Sequence, residues 1–178
     1  MHTQKRWLIG INVLGGAAVI GSYIQGILTH EDAGTVLWGG VPPSIQSLST
    51  AWMPVAVLGY FAFTGYLLFA LDADQARIGN RFGYRLFHWI YLGILVPSAL
   101  WMPLTFGMIE QPSSVLWWAI TVVLILVGLV SLGLLAALLA LKVPRKGWTY
   151  WLAVIGTVGF SVQTVIMDAV LWVVYFRI

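Results

Sequence analysis

Five stretches of this chain run for more than about 20 residues with almost no charge, the length a helix needs to cross the hydrocarbon of a bilayer. They are Trp7–Leu28, Ala51–Leu71, Leu86–Ile109, Val115–Leu141 and Trp148–Phe176, and Asp168 in the fifth is the one formal charge in any of them. Hydrocarbon offers no partner to a backbone N–H or C=O group, so only helices and closed barrels can span it. Barrel strands alternate apolar and polar residues over about ten positions; the unbroken apolar run Val122–Val130 does not. The reading is an all-α integral membrane protein, one five-helix transmembrane domain over residues 1–178. Composition agrees: 60% of the 178 residues are hydrophobic and 8% charged, against roughly 45–50% and about 25% in soluble domains. That balance excludes a soluble fold, a coiled coil and a nucleic-acid-binding domain. With no cysteine, disulfides, thiolate metal sites and cysteine nucleophiles are excluded too.

The net charge of +3 reads as topology. Lys5, Arg6, Arg77, Arg81, Arg85, Lys142, Arg145 and Lys146, eight of the nine basic residues, fall on one side of the predicted spans, and only Arg177 on the other. The opposite loops carry Glu31, Asp32 and Glu110. Basic loops stay inside, which places the N-terminus inside and the C-terminus outside. The bias suits a bacterial plasma membrane best, with an organellar membrane as the alternative. The first span is expected to be retained, because Tyr23-Ile24-Gln25 lacks the small residues of a signal-peptide cleavage site.

Eight of the ten tryptophans lie near span ends, Trp7, Trp89, Trp148 and Trp151 inside and Trp38, Trp52, Trp117 and Trp118 outside, as an aromatic belt would. Trp101 and Trp172 lie within spans beside polar residues. The segment between the first two spans, residues 29–50, is the longest connection and holds Gly39-Gly40 and Pro42-Pro43, marks of a lid or a plain surface loop.

Asp168 is the most informative residue, since an ionisable group within a span faces the bundle interior and marks function by default. At about 100° per residue, Thr157, Ser161, Thr164, Asp168 and Trp172 share one helical face. Hydrogen bonding between helices and contact with a ligand are both open readings of that stripe. In the third span, Pro97 and Pro103 free backbone carbonyls around Ser98 and Trp101, which fits a pocket wall or a structural bend. His30 and His88 lie at opposite faces, about 30 Å apart, and cannot share an iron; no metal ligands are expected. Asp72, Asp74 and Arg77 read as a solvated inner loop. Ala18, Ser22 and Gly26 in the first span, and Gly133 and Ala137 in the fourth, are small-residue faces suited to close helix packing within or between protomers.

With these features in view, the chain resembles the TspO/MBR (translocator protein) family. Ser98-Ala-Leu-Trp101-Met-Pro103-Leu-Thr-Phe106-Gly107 is similar to the family's N-A-L-W-x-P-L-F-F-G, and Asp168-Ala-Val-Leu-Trp172 to its N-A-A-x-W. Phe61-Ala-Phe-Thr64-Gly65 is a weaker match to L/Y-x-x-M-G. Ser98 and Asp168 stand where the family has Asn, Val41-Pro42-Pro43-Ser44 is the nearest echo of its W-x-P-P-x-W, and Val57 and Phe160 occupy positions that are Trp in many members. Those tryptophans have been linked to tetrapyrrole handling, so their replacement weighs against it. The resemblance implies a five-helix bundle, often a homodimer, with a pocket under the first loop for porphyrins (haem among them), sterols or synthetic aromatic ligands.

The first expectation is therefore a membrane receptor or carrier for a flat apolar ligand, without turnover, no catalytic residue and no covalent cofactor. Trp101, Phe61 and Trp172 would supply stacking area, Ser98, Thr164 and Asp168 would orient a polar group, Val57 and Phe160 would line the pocket, and the loop at Trp38 and Pro42 would cover it. The alternatives are a structural or assembly subunit of a membrane complex, and a sterol-isomerase-like enzyme using Asp168 as a proton shuttle, for which no other span offers a second ionisable partner near the outer side.

Overall fold

The computed structural model describes residues 2–142 and 147–176; Arg145, Lys146 and Arg177 of the expected charge pattern lie outside them. The described chain is helical, with α1 (Thr3–Thr29), a short α2 (Ala33–Val36), α3 (Pro43–Gly65), α4 (Arg85–Glu110), α5 (Ser114–Leu139), α6 (Trp148–Ser161) and α7 (Val173–Tyr175). Two stretches wind as π-helix, Tyr66–Ala70 at the end of α3 and Val162–Trp172 between α6 and α7. Five of the resulting rods are long and apolar enough to cross a membrane: Thr3–Thr29, Pro43–Ala70, Arg85–Glu110, Ser114–Leu139 and Trp148–Tyr175. This is a multi-pass membrane protein.

The second rod begins at Pro43, not Ala51, so the first connection is shorter than expected. The reason is local. Proline is pre-set for the first helical turn and lacks the N–H that would be orphaned there; Pro43 takes that place, and the Pro42 carbonyl accepts from the Ile45 and Gln46 amides. The connection before α4, at the end of the bundle that carries the N-terminus and is called inner below, is likewise folded rather than solvated throughout. Asp72, Asp74 and Arg77 are exposed as expected, but Ala73, Ala76 and Ile78 between them are buried. Backbone bonds from Gly79 to Ala140 and from Lys142 to Arg77 tie this connection to the end of α5.

α1 packs on α4, α4 on α5, α5 on the last rod, and the last rod on α3. α1 meets the second rod mainly through the π-helical turn at its inner end and a hydrogen bond from the Tyr60 hydroxyl to Asn12 Oδ1 at 2.6 Å. α1 is thus the least embedded rod, with only Leu8 and Gly26 buried. A large core fills the inner half, around Phe63, Leu67, Tyr84, Phe87, Tyr91, Leu134, Leu138 and Tyr150. A separate, smaller core of Val41, Ile120, Leu124, Trp172 and Phe176 lies at the outer end. Along the last rod, the buried residues between the two cores include the polar Thr157, Ser161, Gln163 and Thr164.

Helix approach follows glycine, but not chiefly where the small-residue faces suggested. Gly26 does meet Met102 and Phe106 of α4; Ala18 is exposed, and Gly133 faces open space. The closest crossing is Gly59 of α3 against Gly156 of α6. A β-carbon on Gly59 would fall onto the Gly156 carbonyl oxygen, and one on Gly156 would sit 2.9 Å from the Gly59 α-carbon. Backbone cannot yield as a side-chain tip can, so a methyl here forces the rods apart. Gly59→Ala is expected to cost about 1–3 kcal/mol, read as a fall of several degrees in the melting temperature of detergent-solubilised protein. Gly21→Ala, whose methyl meets nothing, should leave that temperature unchanged or slightly raised.

Candidate functional site

The π-helical stretch decides which side chains meet in the last rod. An i→i+5 pattern brings residues five apart onto one face, and such segments recur at functional sites. Gln163 and Asp168 are five apart, and Gln163 Nε2 donates to Asp168 Oδ1 at 2.8 Å. The same nitrogen lies 3.2 Å from Ser49 Oγ at the start of α3. Asp168 Oδ2 takes no hydrogen bond among the described residues, and the side chain is only half-buried. One carboxylate oxygen is therefore left without a hydrogen bond among the described residues. Tyr23 of α1 interacts electrostatically with Asp168.

The expected stripe turns inward along its length. Thr157, Ser161, Thr164 and Trp172 are buried, and Thr164 Oγ1 donates to Ser131 Oγ of α5 at 2.9 Å. Three buried polar atoms in this layer have no hydrogen-bond partner: Trp101 Nε1, Ser161 Oγ and Gln163 Oε1. Burying a polar group unsatisfied costs about 1–3 kcal/mol, so a cluster of them is itself an anomaly. Ser98 is half-buried, and its hydroxyl has no hydrogen-bond partner among the described residues.

An aromatic wall stands outward of this layer. Trp101 meets Tyr23 at 5.7 Å and Trp172 edge-on at 5.9 Å. Trp172 stacks on Phe176 at 4.1 Å, and Trp117 lies parallel to both. The Trp172 indole N–H donates to the Leu37 carbonyl at 2.9 Å, which fastens the first connection over the outer end. Trp38 and Val41 pack on the same cluster, and Pro42 is half-buried beside them. Of the outer tryptophans expected in a belt, only Trp118 faces outward. Trp117 and Trp38 turn into the cluster, and the Trp52 indole N–H bonds to the Gly159 carbonyl at 2.9 Å. The inner set, Trp7, Trp89, Trp148 and Trp151, is exposed as a belt requires.

The structure thus gathers Trp38, Pro42, Trp101 and Trp172 at the outer end, with Thr164 and Asp168 in the polar layer beneath. Phe160 sits deeper, in an edge-to-face contact with Phe63 at 5.6 Å. Phe61 and Val57 do not join them: they are 65% and 53% exposed on the outer flank of α3. The register of α3 is fixed by Gly59, Ala56 and Phe63, its buried positions, which leaves Phe61 and Val57 on the opposite face. The two residues that sequence reasoning missed are Gln163 and Tyr23. On an ordinary α-helix, residue 163 lies well off the face of 168, and nothing in the sequence marks a π-helix. Tyr23 was passed over although it supplies the titratable group expected to be absent from the other spans. Among the described residues, no group of three or more His, Asp or Glu is placed to hold a metal.

His30 closes the outer rim. It caps α1, its ring stacks on Phe106 of α4 at 3.7 Å, its Nδ1 lies 3.0 Å from the Gly26 carbonyl and its Nε2 3.0 Å from Glu110 Oε1. Both ring nitrogens face acceptors, so the doubly protonated imidazolium is the form that satisfies both. The hydrogen bond to Glu110, with smaller help from the Gly26 carbonyl and the charges of Glu110 and Asp32, raises the His30 pKa above its usual 6.5. No family model matches this chain, and neither does any curated protein or solved structure.

Because the folded pKa is raised, the tie between α1 and α4 is complete below about pH 6.5 and is lost as pH rises through the raised value. Amide exchange in residues 31–40 should speed up between pH 6 and pH 8 beyond the intrinsic rise. In Glu110→Gln, that extra acceleration should largely disappear.

Proposed function

We propose that the chain is a TspO-like membrane receptor or carrier that binds a flat, apolar ligand in the outer half of the bundle, roofed by the first connection, without turning it over. One observation carries the reading. An indole N–H (Trp101) with no acceptor, an amide oxygen (Gln163) with no donor and a free carboxylate oxygen (Asp168) adjoin the aromatic wall of Trp101, Trp117 and Trp172. Pockets for small ligands have this character, mainly apolar and aromatic with a few orienting polar groups. A bound molecule that accepts from Trp101 and donates to Gln163 or Asp168 would satisfy two of the three at once. A sterol-like alcohol meets that requirement with one hydroxyl; the carboxylates of a tetrapyrrole would have to lie away from Asp168.

The membrane arrangement belongs to the same proposal: N-terminus inside, C-terminus outside, in a bacterial plasma membrane, with Lys5, Arg6, Arg77, Arg81, Arg85 and Lys142 on the inner side. A second reading, as an assembly subunit or homodimer, draws on the exposed length of α1, where Gly10, Gly16 and Gly21 face open space.

Titrating purified protein with a sterol or a porphyrin, followed by tryptophan fluorescence, tests the site. Asp168→Ala is expected to weaken binding about tenfold or more, and Trp101→Phe, which removes only the indole donor, by up to about tenfold. Phe61→Ala should bind as the parent does. Parental affinity in both Asp168→Ala and Trp101→Phe would remove the site, and a defined protein partner with no bound small molecule would favour the assembly reading.

A further inference from the structure

A second concavity lies at the opposite end of the bundle, and nothing in the outer site uses it. It is a cavity of about 470 Å³ bounded by the first turns of α1 (His2, Lys5, Ile9), by the π-helical turn that ends the second rod (Leu68, Phe69, Ala70) and by the connection after it (Leu71, Asp72, Ala73, Asp74). Both walls belong to ends of membrane-crossing rods, so the cavity opens where lipid headgroups lie.

Its charges are only partly used within the chain. His2 Nδ1 caps α1 by accepting from the Gln4 amide, and Nε2 lies 2.9 Å from Asp74 Oδ1; the tautomer protonated on Nε2 serves both. Asp72 Oδ1 accepts from the Asp74 amide at 3.0 Å. Each carboxylate therefore keeps one oxygen without a partner among the described residues. Lys5 is half-buried and forms no ion pair among the described residues. One ammonium and two partly free carboxylates thus face a single cavity without neutralising each other. The remaining lining is apolar, and Phe69, 84% exposed, continues that surface onto the lipid-facing flank.

We infer that this cavity binds the headgroup of a primary-amine phospholipid, a phosphoethanolamine, with its phosphate on Lys5, its ammonium on the free oxygens of Asp72 and Asp74, and an acyl chain along Ile9, Leu68 and Phe69. Each part of the ligand answers a feature of the site. An anionic headgroup with no amine would satisfy Lys5 but set its own charge against two carboxylates. A choline headgroup carries the positive charge but has no N–H to give the carboxylate oxygens. A headgroup without chains would leave the apolar flank in contact with nothing it recognises. The low dielectric of the interface strengthens both ionic contacts relative to water, and charge-assisted hydrogen bonds of this kind are the strong ones.

Native mass spectrometry of the whole protein, released from micelles holding equal amounts of phosphatidylethanolamine, its N-monomethyl form, phosphatidylcholine and phosphatidylglycerol with the same acyl chains, tests this without any variant. The expected order of retention is ethanolamine, then N-monomethyl, then choline, with ethanolamine about tenfold above choline. Equal retention of the four, or preference for phosphatidylglycerol, would overturn the proposal. Lys5→Ala and Asp72→Asn should each reduce the ethanolamine adduct several-fold, whereas Asp168→Asn, in the outer layer, should leave it intact. Retention undiminished in the Lys5→Ala, Asp72→Asn double variant would also overturn it. Glycerophosphoethanolamine, which lacks chains, should compete poorly; competition equal to the lipid's would mean a soluble ligand instead.

Discussion

Inside hydrocarbon, a polar group has no solvent to fall back on, and the bond from Gln163 to Asp168 is where this bundle meets that constraint most sharply. The bond needs residues five apart to share a face, and only the π-helical winding of Val162–Trp172 provides it. The same winding brings Thr164 to Ser131 of α5 and Trp172 to the Leu37 carbonyl. One irregular rod thereby links the fourth span, the start of the second and the roof of the outer end. What it does not do is satisfy every group it buries: Gln163 Oε1 and Trp101 Nε1 are left over. A bundle selected for stability alone would have replaced them with apolar side chains, at little cost or some gain.

The two ends of the molecule answer different physical demands. The inner half is a tight aromatic and aliphatic core, with Tyr84, Tyr91 and Tyr150 almost wholly buried and two of their hydroxyls bonded to backbone carbonyls of neighbouring rods. The Gly59–Gly156 crossing locks the second rod against the last. The outer half is held by fewer and more conditional ties: a single indole bond to the roof and a histidine whose charge depends on pH.

Much of the fold was legible in the sequence, because length and apolarity are the signals a bilayer reads. All five rods stand where the apolar runs placed them; α4 differs from the expected bounds by one residue at each end, and the last rod by one at its C-terminal end. The second rod starts earlier than its apolar run: Gly39-Gly40 and Pro42-Pro43 read as loop, whereas a proline also suits a first helical turn. The inward face of Thr157, Ser161, Thr164, Asp168 and Trp172 was readable from helical spacing. Gln163 was not, because the spacing itself changes at Val162 and no residue announces the change. Phe61 and Val57 came from motif likeness, which carries no information about rotation; the glycine contact at Gly59 sets that rotation and turns both outward.

The central claim is that the free carboxylate oxygen of Asp168 looks into a space that a ligand completes. An experimental density map of the protein purified from its own membrane tests it most directly. The account predicts flat, continuous density between Tyr23, Trp101 and the 163–168 turn, with a polar end within hydrogen-bond distance of the Trp101 indole nitrogen. An Asp168 carboxylate directed at lipid chains, or that space filled by close-packed side chains of the protein itself, would contradict it.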